Sequence, residues 1–264
     1  MKRHKFYLFI FLISIVFISC TKVIDLKLGN NSGQLVIEGN ITNVTGPQYI
    51  KLSQNVPFTS TNTYPPVTGA TVYVTDNTGI KYVFTEQPEG TYLVVGLTGV
   101  AGTTYKMTVV TNGITYTASS LMPAQVSLDS ITSSENEFSS NKNLRQITVH
   151  FQDPAGVANQ YRFVMTVNGL QTNDIFVIND EFFDGRYVDY DLIGNGINVH
   201  PGDIVTVEMQ CIDKPIYTYW FTLMQQADGG AGGVAPSNPP TNISPASLGY
   251  FSAHTTQSIT LLVK

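Results

Sequence analysis

The stretch that decides the fold runs from Ala70 to Ala118 and reads ATVYVTDNTGIKYVFTEQPEGTYLVVGLTGVAGTTYKMTVVTNGITYTA. Apolar and polar residues alternate within its segments, as they do in β-strands with one buried face. Turn-forming residues separate the segments, and Asn112-Gly113 is the pair preferred in two-residue hairpins. With Leu35–Gly39 upstream, the chain predicts about seven short strands, a pattern typical of a β-sandwich.

The rest of the chain predicts a second β-sandwich-like domain with one helix. Apolar residues recur with helical spacing from Ile216 to Ala227, and Asp213 is placed to cap that helix. Alternating runs predict strands at Leu144–Phe151, Gln160–Val167, Ile204–Ile212 and Ser258–Val263. We therefore expect an all-β protein, with an N-terminal β-sandwich over residues 34–124 and a C-terminal β domain over residues 125–264. The amphipathic helix is expected near 215–227.

The first twenty residues predict export and lipidation. Residues 1–19 combine a basic start with the uncharged run Phe6–Ile18 and a small residue, as signal peptides do. A helix of that run would be about 20 Å long, which is too short for a hydrocarbon core of about 30 Å. Phe17-Ile18-Ser19-Cys20 resembles a lipobox, so we expect a covalent lipid on Cys20 and a tether over residues 20–33.

The remaining cysteine and the charge balance restrict the partners. A lipidated Cys20 cannot form a disulfide, and Cys211 alternates with Val207 and Met209, so a buried, unpaired thiol is expected there. The formal net charge is −5, and no basic patch occurs in the sequence. Both observations argue against a nucleic-acid partner.

The densest group of acidic residues lies between Asn173 and Asp191. Its members include Asp180, Glu181, Asp184, Asp189 and Asp191. Oxygen ligands at this density suit Ca²⁺, which takes about six to eight of them. However, the run Asn179–Gly185 has two phenylalanines where an EF-hand loop has ligands. A solvated loop explains the same residues, so we predict no metal, with calcium binding as the alternative.

No group of residues predicts catalysis. His150, His200 and His254 lie far apart in sequence without zinc-site spacing, and no G-x-S-x-G elbow occurs. Ser252 and His254 share one face of a strand, but at about 7 Å apart they are beyond direct hydrogen bonding. We therefore expect a non-enzymatic protein with no catalytic residues and no cofactor besides the lipid.

Several runs, in order, resemble one family of Bacteroidetes lipoproteins, the DUF4249 domain family. They include Leu35–Gly39, Pro66–Val72, Gly90–Tyr92, Gly102–Tyr105, Asn179–Gly185, Gly202-Asp203, the helix near Tyr217–Leu223 and Gly249–Ala253. The resemblance implies an immunoglobulin-like or transthyretin-like N-terminal sandwich. It also implies an outer-membrane lipoprotein of a kind often encoded beside TonB-dependent receptors, and it assigns no activity or binding residues.

The expected function is that of a non-enzymatic outer-membrane lipoprotein, an accessory or ligand-binding partner of a TonB-dependent transporter. A surface adhesin or structural module that binds protein or glycan is the alternative. Partner contacts are expected on exposed loops, because rigid sandwiches present partners there, at Thr59, Tyr64, Phe182, Phe183, Arg186 and Asn238. The periplasmic and external membrane faces both stay open, because the five residues after Cys20 hold one acidic residue.

Overall fold

The computed structural model describes residues 32–57, 60–61, 63–137, 139–194, 196–227 and 237–264. Within these ranges the chain forms β-strands and one α-helix. No described helix is long and apolar enough to cross a membrane. The prediction of an all-β fold with an amphipathic helix is confirmed.

The strands carry the alternation of buried and exposed side chains that the sequence predicts. They are β1 (Leu35–Thr42), β2 (Gln48–Gln54), β3 (Thr71–Thr75), β4 (Lys81–Gln87), β5 (Thr91–Val94), β6 (Thr104–Thr111), β7 (Ile114–Leu121), β8 (Leu128–Glu135), β9 (Arg145–Gln152), β10 (Gln160–Val167), β11 (Leu170–Gln171), β12 (Phe176–Asn179), β13 (Tyr187–Leu192), β14 (Ile204–Cys211), β15 (Ile243–Ser244) and β16 (Leu248–Leu262). The helix α1 spans Lys214–Ala227.

Two sheets are formed. The large sheet has the order β11-β10-β14-β16-β1-β2-β5-β4-β3-β6-β7-β15, with β12 paired to β10 as its thirteenth strand. The small sheet has the order β13-β9-β8. Strands β1 and β16 run parallel, and the other strand pairs are antiparallel.

The first hydrophobic core lies inside the curled large sheet. Its fully buried members include Ile37, Ile50, Leu52 and Met107, each on the apolar face of an alternating strand. Side chains from the end of the chain complete it: Ile243, Phe251 and Ala253. The N-terminal strands therefore depend on C-terminal residues to fill their interior.

The second core lies between the small sheet and the other end of the large sheet. Phe151 and Val149 contribute from β9, Phe163 from β10, and Val207 from β14. The predicted division between residues 124 and 125 falls between Met122, in the first core, and Val126, in the second. Residues 32–264 nevertheless form one compact unit.

The last strand joins the two halves. The first part of β16 pairs parallel with β1, from Val36 opposite Leu248 to Thr42 opposite His254. Its second part pairs antiparallel with β14, as far as Ile204 opposite Leu262. The predicted terminal strand at Ser258–Val263 starts too late, because the observed strand begins at Leu248. Its first part contains buried polar residues, so the sequence there does not alternate between apolar and polar residues.

Two glycines allow the close approach of β1 and β16. Gly249 has a φ of +92°, and a Cβ there would lie 2.0 Å from the Ile37 carbonyl oxygen. A Cβ on Gly39 would lie 2.8 Å from a ring carbon of Phe251. Larger residues at these positions would therefore separate the parallel pair.

The helix begins where the sequence predicts. Asp213 caps it, since the Ile216 amide donates to Asp213 Oδ1 at 3.2 Å. Its apolar face packs on the outer face of the large sheet, where Trp220 meets the Tyr250 ring at 5.2 Å. The single tryptophan of the chain therefore packs against a sheet.

Ser120 connects three elements at the start of this helix. Its hydroxyl donates to Asp213 Oδ2 at 2.8 Å and accepts from the Ala253 amide of β16 at 2.9 Å. The Leu121 amide donates to the same Asp213 oxygen at 3.0 Å. Ser120 therefore ties β7 to the β16 edge that β14 leaves unpaired and to the cap of α1.

We predict that Ser120→Ala lowers the free energy of unfolding by about 3 kcal/mol, because it removes a partner from both the Ala253 amide and the Asp213 carboxylate. Urea unfolding would measure the loss. Ser119→Ala is the control, since the neighbouring serine is exposed. Equal stability of the two variants would contradict the assigned role of Ser120.

Candidate functional site

The predicted lipidation residue and one predicted loop contact, Cys20 and Thr59, lie outside the described residues. The other predicted contact residues are described. Tyr64, Arg186 and Asn238 are exposed, and Phe182 is 82% exposed. These four stay candidates for contact with a partner.

The adjacent phenylalanine has a different environment. The Phe183 ring is half-buried, with its centroid 6.3 Å from that of Phe151 and 6.5 Å from that of Tyr161. It therefore packs against the second core and fixes the turn that carries Phe182. Backbone bonds close the same turn, since the Phe183 amide donates to the Asp180 carbonyl at 2.9 Å.

The predicted acidic loop is partly a strand. Asp189 and Asp191 lie in β13 and face β9, where they meet His150 Nδ1 and the Thr148 hydroxyl, each at 2.6 Å. Glu181 is exposed. The five acidic residues therefore do not converge on one point, and the interpretation of the whole stretch as a solvated loop is wrong.

Two of the five do converge, with a residue that the sequence analysis missed. One carboxylate oxygen from each of Asp153, Asp180 and Asp184 lies within 4.8 Å of the others. Asp153 and Asp180 are buried, whereas Asp184 is exposed. The available signal for Asp153 was the turn-forming run Asp-Pro-Ala-Gly directly after β9.

Protein donors already serve these three carboxylates. The Tyr161 hydroxyl and the Gly185 amide donate to Asp153, the Asn159 amide donates to Asp180 at 2.7 Å, and the Gly156 amide donates to Asp184 at 2.7 Å. Burial and the bond to Asp153 raise the pKa of Tyr161 well above its ordinary value, so the phenol stays a donor. The cluster pins the 180–186 turn to β9 and β10. The absence of a metal, with calcium binding as the alternative, stays a prediction.

The expectation that Ser252 and His254 are too far apart to bond is wrong. Ser252 Oγ lies 2.9 Å from His254 Nδ1, because the side chains lean toward each other along β16. Both residues are 2% exposed, so neither presents a reactive atom to solvent. The pair therefore gives two buried polar side chains of β16 a hydrogen-bond partner.

Cys211 agrees with its prediction. The thiol is buried and free, and its sulfur accepts from the Val126 amide at 3.3 Å. Burial raises the pKa of the thiol, which disfavours the reactive thiolate. Cys211 is thus a residue of the second core, and its sulfur faces the segment just ahead of β8.

Burial lowers the pKa of His254 to about 4, while Glu208 raises it and Arg162 lowers it by smaller amounts. The folded state therefore favours the neutral ring, whereas the ring in the unfolded chain takes up a proton near pH 6.5. We predict that this residue contributes about 3 kcal/mol of stability above pH 6.5 that is lost as the pH falls toward 4.

Urea unfolding of the parent and of His254→Gln, at about pH 7.5 and about pH 4.5, would measure this contribution. The variant should lose less stability than the parent between the two conditions. His200→Gln is the control, because the His200 side chain is 48% exposed. Parallel pH profiles for the parent and His254→Gln would contradict the prediction.

Comparison with known proteins identifies a family. The family model described as "Domain of unknown function (DUF4249)" matches residues 21–260. No curated protein matches the chain. Among solved structures, the adhesin InvE of Yersinia pseudotuberculosis aligns with 17% identity over 69% of this chain and 57% of its own, at a TM-score of 0.21.

At that TM-score the likeness to the adhesin supports no conclusion about fold or function, and the aligned part spans little more than half of the adhesin chain. The family match, by contrast, covers nearly the whole chain beyond the first twenty residues. This chain belongs to the DUF4249 family.

Proposed function

We propose that this chain is a non-enzymatic lipoprotein of the outer membrane that serves as an accessory or ligand-binding partner of a TonB-dependent transporter. The observation that carries the proposal is Cys20, placed directly after a basic and apolar leader and shortly before a rigid β-structure. The family resemblance supports the transporter as the partner.

The short tether restricts where a partner can be. Fourteen residues, from Thr21 to Gln34, separate Cys20 from the start of β1. Fully extended, they reach at most about 50 Å. A lipidated Cys20 therefore holds the β-structure close to the bilayer surface, where a protein of the same membrane is the accessible partner.

The exposed 180–186 turn has an aromatic side chain suited to contact with a protein partner. Phe182 projects from a turn that is fixed by Phe183 and by the three-carboxylate cluster. A large aromatic side chain on a rigid support loses little conformational freedom on binding, and residues of this type dominate interface energetics. Arg186, also exposed, adds a cation at the other end of the turn.

The described part of the molecule also gives a reason to propose a non-enzymatic role. The Ser252–His254 pair, which has residue types found in hydrolases, is buried and therefore has no reactive atom open to a substrate. Asp213, a half-buried carboxylate, caps the helix and binds Ser120. These chemically active side chains thus hold the fold together.

We predict that the full-length protein, extracted from its native membrane in mild detergent, co-purifies with a TonB-dependent receptor. Cys20→Ser should move the chain from the membrane fraction to the soluble fraction and abolish the co-purification, because the acyl chains supply the membrane attachment. Mass spectrometry of the eluate identifies the partner, and retention of the variant in the membrane would contradict lipid anchoring.

Recovery of the lipidated parent without any receptor would refute the partnership. In that case, binding of intact cells to a host protein or glycan would favour the adhesin alternative. Receptor co-purification and the binding of intact cells both report binding, so the two functions can be distinguished without an activity assay.

We further predict that Phe182→Ala weakens receptor co-purification by about thirtyfold, because a central aromatic contact is worth about 2 kcal/mol. Leu170→Ala is the matched control, since Leu170 is also apolar and is 77% exposed on β11. An equal loss in both variants would show that the 180–186 turn is not the contact.

A further inference from the structure

A cleft of about 690 Å³ opens where β1 and β16 begin, beside α1. Its volume lies in the range of sites for small ligands. The residues that line it include Gln34 ahead of β1, Tyr116 of β7, Tyr219 of α1, and Asn238 in the segment that precedes β15. Asn238 is one of the predicted contact residues, whereas the other three were missed.

The cleft has an uncharged lining. Its described lining residues are glycines, prolines, tyrosines, aliphatic residues and residues with amide or hydroxyl groups, without an acidic or basic side chain. A neighbouring cavity of about 300 Å³ differs in this respect, because Glu38 and Lys51 line it. A charged ligand in the larger cleft would lose hydration without gaining an ionic partner from its lining.

The walls of the cleft are fixed before any ligand binds. At one end of the 237–242 segment, Gln226 of α1 donates to the Ser237 carbonyl at 2.8 Å. At the other end, the Thr241 hydroxyl donates to the Gly249 carbonyl at 2.9 Å, and the Asn242 side chain bonds both backbone groups of Phe251. A preformed wall reduces the ordering cost of binding.

An aromatic surface of the cleft is also held in place. The Tyr219 ring packs against Tyr250 at 5.0 Å and against Trp220 at 5.4 Å between centroids. Burial raises the pKa of Tyr219 to about 12, so its hydroxyl is a donor at neutral pH. Tyr116, half-buried, supplies a second ring from β7.

The polar groups available to a ligand are side chains. The Gln34 and Asn238 amides and the Tyr116 and Tyr219 hydroxyls make no hydrogen bond to another described residue. The backbone beside them is already paired: the Gly33 amide donates to the Asn55 carbonyl at 3.0 Å, and β1 pairs with β16. A peptide that binds by adding a strand would therefore find few backbone partners.

We propose that this cleft binds an uncharged oligosaccharide. Sugar rings present apolar faces that pack on tyrosine rings, and rims of hydroxyl groups that both donate to and accept from amides and phenols. The uncharged lining, the two rings and the four uncommitted polar groups match that chemistry together. The proposal goes beyond the transporter partnership and does not depend on it.

The test uses the full-length lipidated protein in a detergent whose headgroup is not a sugar, so that the detergent does not compete. An array of neutral, sialylated and sulfated glycans, with uncharged peptides as the comparison, identifies the class that binds. Calorimetry on the tightest binder then gives its affinity. We expect neutral oligosaccharides to bind and charged glycans and peptides not to bind.

Variants locate the binding in the cleft. Tyr116→Ala and Asn238→Ala should each lower the affinity, the former by about tenfold, since an aromatic contact is worth about 1.4 kcal/mol. Tyr219→Phe keeps the ring packing and removes the donor, so it tests the hydroxyl without disturbing α1. Tyr49→Ala is the control, because Tyr49 is a half-exposed tyrosine of β2 outside the cleft.

The proposal is overturned if no neutral glycan binds at about 1 mM ligand, which corresponds to less than about 4 kcal/mol of binding. It is also overturned if charged glycans or peptides bind instead, or if the cleft variants bind as tightly as the parent. Sugar binding that persists without a co-purifying receptor would refute the transporter partnership alone.

Discussion

Strand β16 exchanges backbone hydrogen bonds with β1 over its first part and with β14 over its second part. A strand that changes partner midway leaves one edge open in each part, and buried amide groups cannot stay unpaired without a large cost. The first part meets this requirement through side chains: Ser120 accepts from Ala253, and Asn242 bonds both backbone groups of Phe251. These contacts join β7 and the start of β15 to β16, and so enclose the first core.

Polar side chains also link β16 to the strands beside its second part. On the outer face of the large sheet, a chain of hydrogen bonds runs from Arg162 through Gln210 and Glu208 to Thr256, and so joins β10, β14 and β16. The Arg162 guanidinium also lies 3.8 Å from the centroid of the Trp220 ring. Trp220 of α1 therefore covers the Arg162 end of this chain of hydrogen bonds.

Two exposed features of this β-structure lie on rigid supports, and they suit different partners. The 180–186 turn presents Phe182 beside the three-carboxylate cluster, which suits contact with a protein surface. The uncharged cleft lies beside the start of β1, where the tether from Cys20 enters the described structure. A ligand held there would stay close to the membrane on which the chain is anchored in our proposal.

The sequence by itself determined the strands of the first half, the helix with its Asp213 cap and the buried state of Cys211, because these follow from local periodicity and turn chemistry. Only the tertiary structure decided the length of β16, the Ser252–His254 bond, the meeting of Asp153 with Asp180, and the cleft. The length of β16, the meeting of the two carboxylates and the cleft depend on residues far apart in the chain. The Ser252–His254 bond depends on how two side chains lean toward each other on one strand, which the alternation of buried and exposed residues does not reveal.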